Sequence, residues 1–373
     1  VVTEVKLNRV KIDKIKAFLE GGVGEGVFPG AVLLVSTKGQ VLFIEEAGYL
    51  SLIPNPIPVE KDTIFDLASL TKPLATTLCL MKLVDEGKVE LDQPLSRLIP
   101  TPVPSDKKDL TPRLLLSHSA GFTDWKPFYL DLMAYESEQR KRILREQILR
   151  DPLAYSPGEE YLYSDLGFMI LEWIIEEITG MTMGRFVEKS FYQPLSLERT
   201  FLSTHPLSLP FKREFFAATE DCPWRKKIVQ GEVDDENAWA LGGYSGHAGL
   251  FGPVEEVYVL VNLLREHYLG TRDDYLKPET VRAFFTRQDM VKGSDWCLGW
   301  DSPAEENSSA GRYFSRNSVG HTGFTGTSVW MDLDRDIVVI LLTNRVHPTR
   351  ENEKIKTFRP ALHDLIMEEL GLD

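Results

Sequence analysis

Ser69 and Lys72 stand three residues apart in Phe65-Asp66-Leu67-Ala68-Ser69-Leu70-Thr71-Lys72-Pro73. Apolar residues follow at Leu67, Leu70, Leu74, Leu78, Met81 and Val84, the stripe of one helix face. The serine therefore sits at the mouth of a helix, and residues at i and i+3 share a face, so its hydroxyl and the Lys72 amine can touch. Pro73 is tolerated in a first turn, where its missing N–H has no intrahelical partner to lose. A serine hydroxyl becomes a nucleophile when a neighbouring base takes its proton. A lysine, near 10.4 when unperturbed, serves as that base only if burial or another cation favours its neutral form. Helix N-terminal N–H groups favour a developing oxyanion. Alone, the pair also fits a Ser N-cap beside a solvated lysine.

The elements around this pair form a coherent series. A first helix is expected over about 7–20 from Leu7, Ile12, Ile15, Phe18 and Leu19, ended by Gly21-Gly22 and Gly24. Strands at 30–36 and 40–45 flank Lys38-Gly39 as a hairpin, and a short strand near 63–67 leads to Ser69. From about 70 to 230 the helical period dominates. Thr111-Pro112 opens a short helix. The charged 136–149 run reads as a solvated helix face with Ile143, Ile148 and Leu149 inward, and the helix after Tyr163-Ser164-Asp165 stops at Gly180. Six glycines interrupt residues 231–252, a composition suited to close backbone approach at a site or to a structural loop. Strands are expected at 296–300, 327–331 and 337–343, then a helix over about 358–370. Strands at both ends with helices between predict one sheet closed by both termini, with a helical insertion.

The 373 residues allow one large or two medium domains, and 43% apolar content supplies a sizeable core. A net charge of −14 argues against nucleic acid or an anionic membrane as partner, and no apolar run reaches the roughly 18 residues of a membrane span. Cys79, Cys222 and Cys297 are too scattered for a disulfide framework or a cysteine-ligated zinc. No signal peptide is visible in the given residues, which reads as cytoplasmic as given; the chain begins Val-Val without Met, which reads as periplasmic or secreted if a signal was trimmed. Oligomeric state is open, with a monomer slightly favoured.

Three features now fall in chain order: Ser69-Leu70-Thr71-Lys72, Tyr163-Ser164-Asp165 and His321-Thr322-Gly323. The whole chain, from about residue 5 to 370, resembles the serine β-lactamase and penicillin-binding-protein superfamily. It is most similar to the branch of class C β-lactamases, D-alanyl-D-alanine carboxypeptidases and related esterases, whose motifs are SxxK, YxN and KTG or HTG. Leu115-Leu116-Ser117-His118-Ser119-Ala120-Gly121, Pro157-Gly158 and Gly246-His247-Ala248-Gly249-Leu250 also resemble family segments.

The resemblance implies an α+β fold, a mainly antiparallel sheet flanked by helices plus an all-helical lobe. It divides the chain into a sheet lobe, 1–68 and 231–373, and a mainly helical lobe, 69–230, with a cleft between. It implies a serine hydrolase working through an acyl-enzyme on a small-molecule or peptide substrate, an ester or amide, without cofactor or metal. Weak β-lactamase activity is compatible. The rival is a penicillin- or muropeptide-binding protein with little turnover.

By the same resemblance Ser69 is the nucleophile, Lys72 accepts or relays its proton, and Tyr163 assists proton transfer to the leaving group and from the deacylating water. His321, in the place of the KTG lysine, positions the tyrosine proton or a substrate carboxylate, with a charge that depends on pH near neutrality. Asp165, Thr322, Gly323, Phe324 and His247 are expected to touch substrate. Gly323 would let substrate approach the backbone, and the N–H groups of Ser69 and Phe324 would form the oxyanion hole. Asp165 departs from the family Asn. A carboxylate there can pair with Lys72 and hold it charged, or sit outside the site. His118 reads as a packed structural histidine, and Asp234-Asp235-Glu236-Asn237 as a loop with capping carboxylates rather than a metal site.

Overall fold

The computed structural model describes residues 8–204 and 211–373. Leu7 and residues 205–210 lie outside the described residues. Helix α1 (Arg9–Gly24) is capped by the Asn8 side chain and does not stop at Gly21-Gly22. A Cβ at Gly22 would sit 2.7 Å from the Phe358 ring and 2.8 Å from Phe28, so this glycine makes room for two rings inside the helix. Strands β1 (Gly30–Thr37) and β2 (Gln40–Ser51) form the expected hairpin. Lys38 and Gly39, at φ 51° and 75°, supply the two positive-φ residues that suit a twisted hairpin.

Next come β3 (Ile57–Pro58) and β4 (Phe65–Asp66), which leads into the Ser69 turn. Helices then dominate as far as Tyr192: α2 (Leu78–Asp85), α3 (Pro112–Leu116), α4 (Phe128–Leu132), α5 (Ser137–Arg150), α6 (Asp165–Thr179) and α7 (Met183–Val187). On α5 the buried stripe is Leu144, Ile148 and Leu149, with Leu144 in place of the expected Ile143. After Tyr192 the stretch adds three short strands, β5 (Phe201–Leu202), β6 (Ala218–Cys222) and β7 (Lys227–Gln230).

The glycine-rich stretch contains α8 (Glu236–Ala240) and β8 (Leu250–Gly252). Then follow α9 (Val254–Leu269), α10 (Pro278–Phe285), β9 (Ser318–Thr322), β10 (Ser328–Asp332), β11 (Ile337–Thr343) and α11 (Ile355–Leu370). Residues 296–300 are not a strand. Cys297 N–H bonds the Trp300 carbonyl at 2.8 Å and Gly299 takes φ 74°, so this apolar run is a buried turn.

The main sheet is antiparallel, in the order β3-β2-β1-β11-β10-β9, so the two chain ends do meet at its centre. Its middle strands are covered on both faces, which is why they read as unbroken apolar runs rather than alternating ones. Ala31, Leu33 and Val35 pack with Ile15, Leu19, Ile366 and Met367 of α1 and α11. Val32 and Leu34 point the other way, into the cluster that holds Leu78, Leu171 and Leu260. β9 forms the sheet edge nearest the Ser69 turn, and it carries His321 and Thr322.

Candidate active site

The nucleophile turn is set by its backbone. Ala68, directly before Ser69, takes φ 48°, a left-handed conformation that L-residues other than Asn and Asp rarely adopt. Four bonds hold it there. Asp66 Oδ1 accepts from Ala68 N–H at 2.9 Å, and Thr71 Oγ1 donates to Ala68 O at 2.6 Å. Thr325 and Thr327 donate their hydroxyls to the carbonyls of Asp66 and Leu67, at 2.8 and 3.1 Å. Such strain persists where the surroundings over-determine it. Asp66 is fully buried, and burial with the adjacent Asp234 pushes its carboxyl up to about 7. The sequence reading missed this residue. Its signal was local: an Asp two residues before a turn N–H is an Asx-turn acceptor.

Ser69 opens the helical segment and Lys72 lies one turn on, with its Nζ 3.1 Å from Ser69 Oγ. Lys72 is wholly buried. Its Nζ donates to Asp165 Oδ1 at 2.7 Å and lies 3.4 Å from the His247 carbonyl. Burial works against its charge, but the Asp165 carboxylate and the Tyr163 phenol outweigh burial, and its pKa is raised. The departure at Asp165 thus holds the lysine as an ammonium. Asp165 is the first residue of α6, where a carboxylate meets free helix N–H groups.

Tyr163 comes from the extended segment before α6, and its ring lies 4.6 Å from Lys72 Nζ. Burial raises the phenol pKa, while Lys72 pulls it back. Ser164 caps α6 and donates to the Thr123 carbonyl at 2.6 Å.

His321 is 2% exposed, and burial together with Lys72 pushes it down to about 3. It stays neutral across the physiological range, contrary to the expected pH-dependent charge. Its Nδ1 lies 2.8 Å from the Thr322 carbonyl, an acceptor only, so Nδ1 carries the proton and Nε2 is a lone pair. It offers no cation to a substrate carboxylate.

Gly323 lines the cavity, and it has a steric role as well. A Cβ there would meet Thr327 Oγ1 at 2.2 Å and the Leu67 carbonyl at 2.7 Å, so the glycine lets β9 close on the nucleophile turn. Phe324 is exposed, its ring flanked by the Arg345 and Arg350 guanidiniums at 4.6 and 5.7 Å.

His247 lies in the glycine-rich loop and is buried, with Nε2 3.0 Å from Asp235 Oδ1. Burial disfavours each charge, yet the pair prevails: His247 is raised and Asp235 is held down at about 2. Asp235 also caps α8, accepting from Ala238 N–H at 2.7 Å. Among the described residues, Asp165, Asp235 and His247 bring ligand atoms within 4.8 Å of one another, a spacing that could hold a metal ion. Both carboxylates already have cation partners, and an added dication would face the Lys72 ammonium.

The pair's stability has a definite sign with pH. The depressed Asp235 contributes above about 4 and loses this as pH falls towards 2; the raised His247 contributes fully below about 6.5 and loses it as pH rises through its folded pKa. The expected result for Asp235→Asn is a loss of ~2 kcal/mol that is greatest between about pH 4 and 6.5 and shrinks on either side. Melting curves of both proteins across pH 2–9 check it; a pH-independent difference refutes it.

These side chains surround one cavity of about 640 Å³. Ser69, Tyr163, Asp165, His247, His321, Thr322, Gly323 and Phe324 line it, with Lys72 behind Ser69 and Asp165. Trp125, Trp296 and Asp301 line it as well, and the sequence reading assigned none of them to a site.

The Beta-lactamase family model matches residues 15–362. The chain belongs to the beta-lactamase family. A Salmonella agona (strain SL483) protein named "Putative D-alanyl-D-alanine carboxypeptidase" is 32% identical over 380 residues, which cover 94% of this chain and 87% of that one. Among solved structures, EstCE1, described as a hydrolase with promiscuous acyltransferase activity, aligns with a TM-score of 0.73 at 23% identity, over 95% of this chain and 98% of its own. The octameric penicillin-binding protein homologue from Pyrococcus abyssi aligns at 0.72 and 19% identity, over 96% of this chain and 77% of its own. The two structures share the fold. This family member is a serine hydrolase of the β-lactamase and penicillin-binding-protein superfamily, with the α+β architecture of that fold. Among the described residues, no helix is long and apolar enough to cross a membrane.

Proposed function

We propose that the chain hydrolyses a small ester or amide through an acyl-enzyme on Ser69, as an esterase or D-amino-acid carboxypeptidase. The observation that carries this reading is the 3.1 Å contact between Ser69 Oγ and Lys72 Nζ, beside the Tyr163 ring and inside a cavity that would hold a small substrate. The serine proton passes to the Lys72–Asp165–Tyr163 group. Ser69 Oγ attacks the carbonyl, and the N–H groups of Ser69 and Phe324 receive the oxyanion. Tyr163 hands a proton to the leaving group, and water then releases the acyl group. His321 accepts a hydrogen bond at Nε2 from substrate or phenol. Thr322 and His247 border the substrate.

The same proposal takes the cavity as the cleft between a sheet lobe, 1–68 and 231–373, and a mainly helical lobe, 69–230. Its support is that Ser69, Trp125, Tyr163 and Asp165 come from the second stretch, and the rest of the wall from the first.

One observation favours the rival, a penicillin- or muropeptide-binding protein with little turnover: Asp165 keeps the would-be base protonated. A panel of p-nitrophenyl esters and D-alanyl-D-alanine peptides, read by product release, separates the two. Turnover that vanishes in Ser69→Ala is the expected result. Stoichiometric penicillin labelling with no turnover on any member would favour the rival.

A further inference from the structure

Tyr163 must place its phenol beside Ser69, yet its backbone belongs to no helix or strand. What holds it is His118, from the segment after α3. The residues on either side of Tyr163 both donate their amides to this one histidine. Leu162 N–H bonds the His118 carbonyl at 2.9 Å, and Ser164 N–H bonds His118 Nδ1 at 3.0 Å. Tyr155 Oη adds a third bond to the same carbonyl, at 2.9 Å. His118 takes φ 56°, a left-handed conformation uncommon for side chains but one in which histidine, like Asn and Asp, is enriched. Its ring lies 4.7 Å from the Tyr163 ring and 4.3 Å from Trp296.

The tautomer follows from the bonding. A backbone N–H only donates, so Nδ1 accepts and the ring proton is on Nε2. The ring is 2% exposed, and burial with the nearby Lys72 and His321 holds its pKa well below the ordinary value. Among the described residues, Nε2 finds no hydrogen-bond partner.

We infer that His118 is a positioning residue for catalysis, a two-point clamp on the amides flanking Tyr163 that fixes the phenol against Ser69 and Lys72. The inference rests on the Ser69 hydrolase reading. Catalytic groups displaced by about 1 Å lose on the order of 10²-fold in rate. His118→Ala removes the Nδ1 half of the clamp and the ring. His118→Asn keeps an acceptor at nearly the Nδ1 position and suits the left-handed backbone, but also removes the ring. The two variants therefore separate hydrogen-bonded positioning from ring packing.

The experiment measures kcat and KM on the best ester substrate, with fluorophosphonate labelling of Ser69 and melting curves for each protein. The expected result is that His118→Ala loses about 10²-fold in kcat with little change in KM, and that His118→Asn recovers most of it. Unchanged kcat in His118→Ala overturns the inference, as does an equal loss in both variants. If the alanine variant does not fold, the asparagine variant decides alone: kcat near wild type supports the clamp, and a loss near 10²-fold refutes it. A wild-type chain that leaves Ser69 unlabelled and turns over nothing defeats the hydrolase reading instead.

Discussion

Ser69→Ala is expected to abolish turnover, by about 10⁴-fold or more, while leaving the fold and melting temperature close to wild type. The first half follows from nucleophilic catalysis: without Oγ there is no acyl-enzyme, and only binding and the oxyanion donors remain. The second half follows from the packing. Ser69 is only half-buried, and its hydroxyl gives Lys72 one of several partners. With Oγ gone, Lys72 Nζ keeps Asp165 at 2.7 Å and the His247 carbonyl at 3.4 Å, so no buried charge is stranded. The turn itself is held by Asp66, Thr71, Thr325 and Thr327 rather than by the serine hydroxyl. Lys72→Ala would be a poorer probe, because it leaves the Asp165 carboxylate without its cation. The check is intact-mass detection of a fluorophosphonate adduct, with parallel ester kinetics. A Ser69→Ala protein that is still labelled at one equivalent, or that keeps turnover within tenfold, refutes the assignment.

What the sequence revealed, and what it hid, divides by distance along the chain. Ser69 and Lys72 were legible as a touching pair because the i, i+3 relation is local. So were the Lys38-Gly39 turn and the stop of α6 at Gly180, which takes φ 65°. The meeting of β1 with β11 could be foreseen from strands at both termini, but its register could not, because both faces of these strands are buried and the usual alternation is lost. Charge states were hidden for a tertiary reason. His321 reads as a neutral-pH switch until its burial beside Lys72 is known. Gly323 shows the same limit from the steric side: its lack of a side chain suits the nucleophile turn behind it, from residues more than 250 positions away. The 296–300 run reads as a strand in sequence, but burial, not strand pairing, accounts for its apolar character. In sequence His118 reads as packing, because neither its neighbours nor its spacing points to its bonds with Leu162 and Ser164, more than 40 residues on.

Asp165→Asn is expected to move the acidic limb of kcat/KM to lower pH by at least about one unit, and so to raise the rate at pH 7 by roughly tenfold. In the wild type, burial would depress the Lys72 pKa, but the Asp165 carboxylate, with Tyr163, reverses this and the pKa is raised. Asparagine keeps an oxygen for the Nζ–H to meet but removes the charge, so burial then dominates and more of the lysine is neutral near pH 7. The same change costs stability with a definite sign. In the wild type the raised Lys72 pKa contributes stability below about 10.4, which is lost as pH rises through the folded value. In the variant the buried ammonium is underpaired, at a cost of about 3 kcal/mol, and this cost fades as pH rises and the lysine deprotonates. Asp165→Asn should therefore melt well below wild type at pH 6, with the gap narrowing as pH rises towards 10 and closing only above the folded Lys72 pKa. pH–rate profiles on a p-nitrophenyl ester and melting curves over the same range check both halves. A limb that stays in place while stability falls as described would move the proton-accepting role from Lys72 to Tyr163. A rate that drops at every pH would mean that the carboxylate itself is needed in the relay, and that the departure from Asn is an adaptation of the mechanism rather than a brake on it.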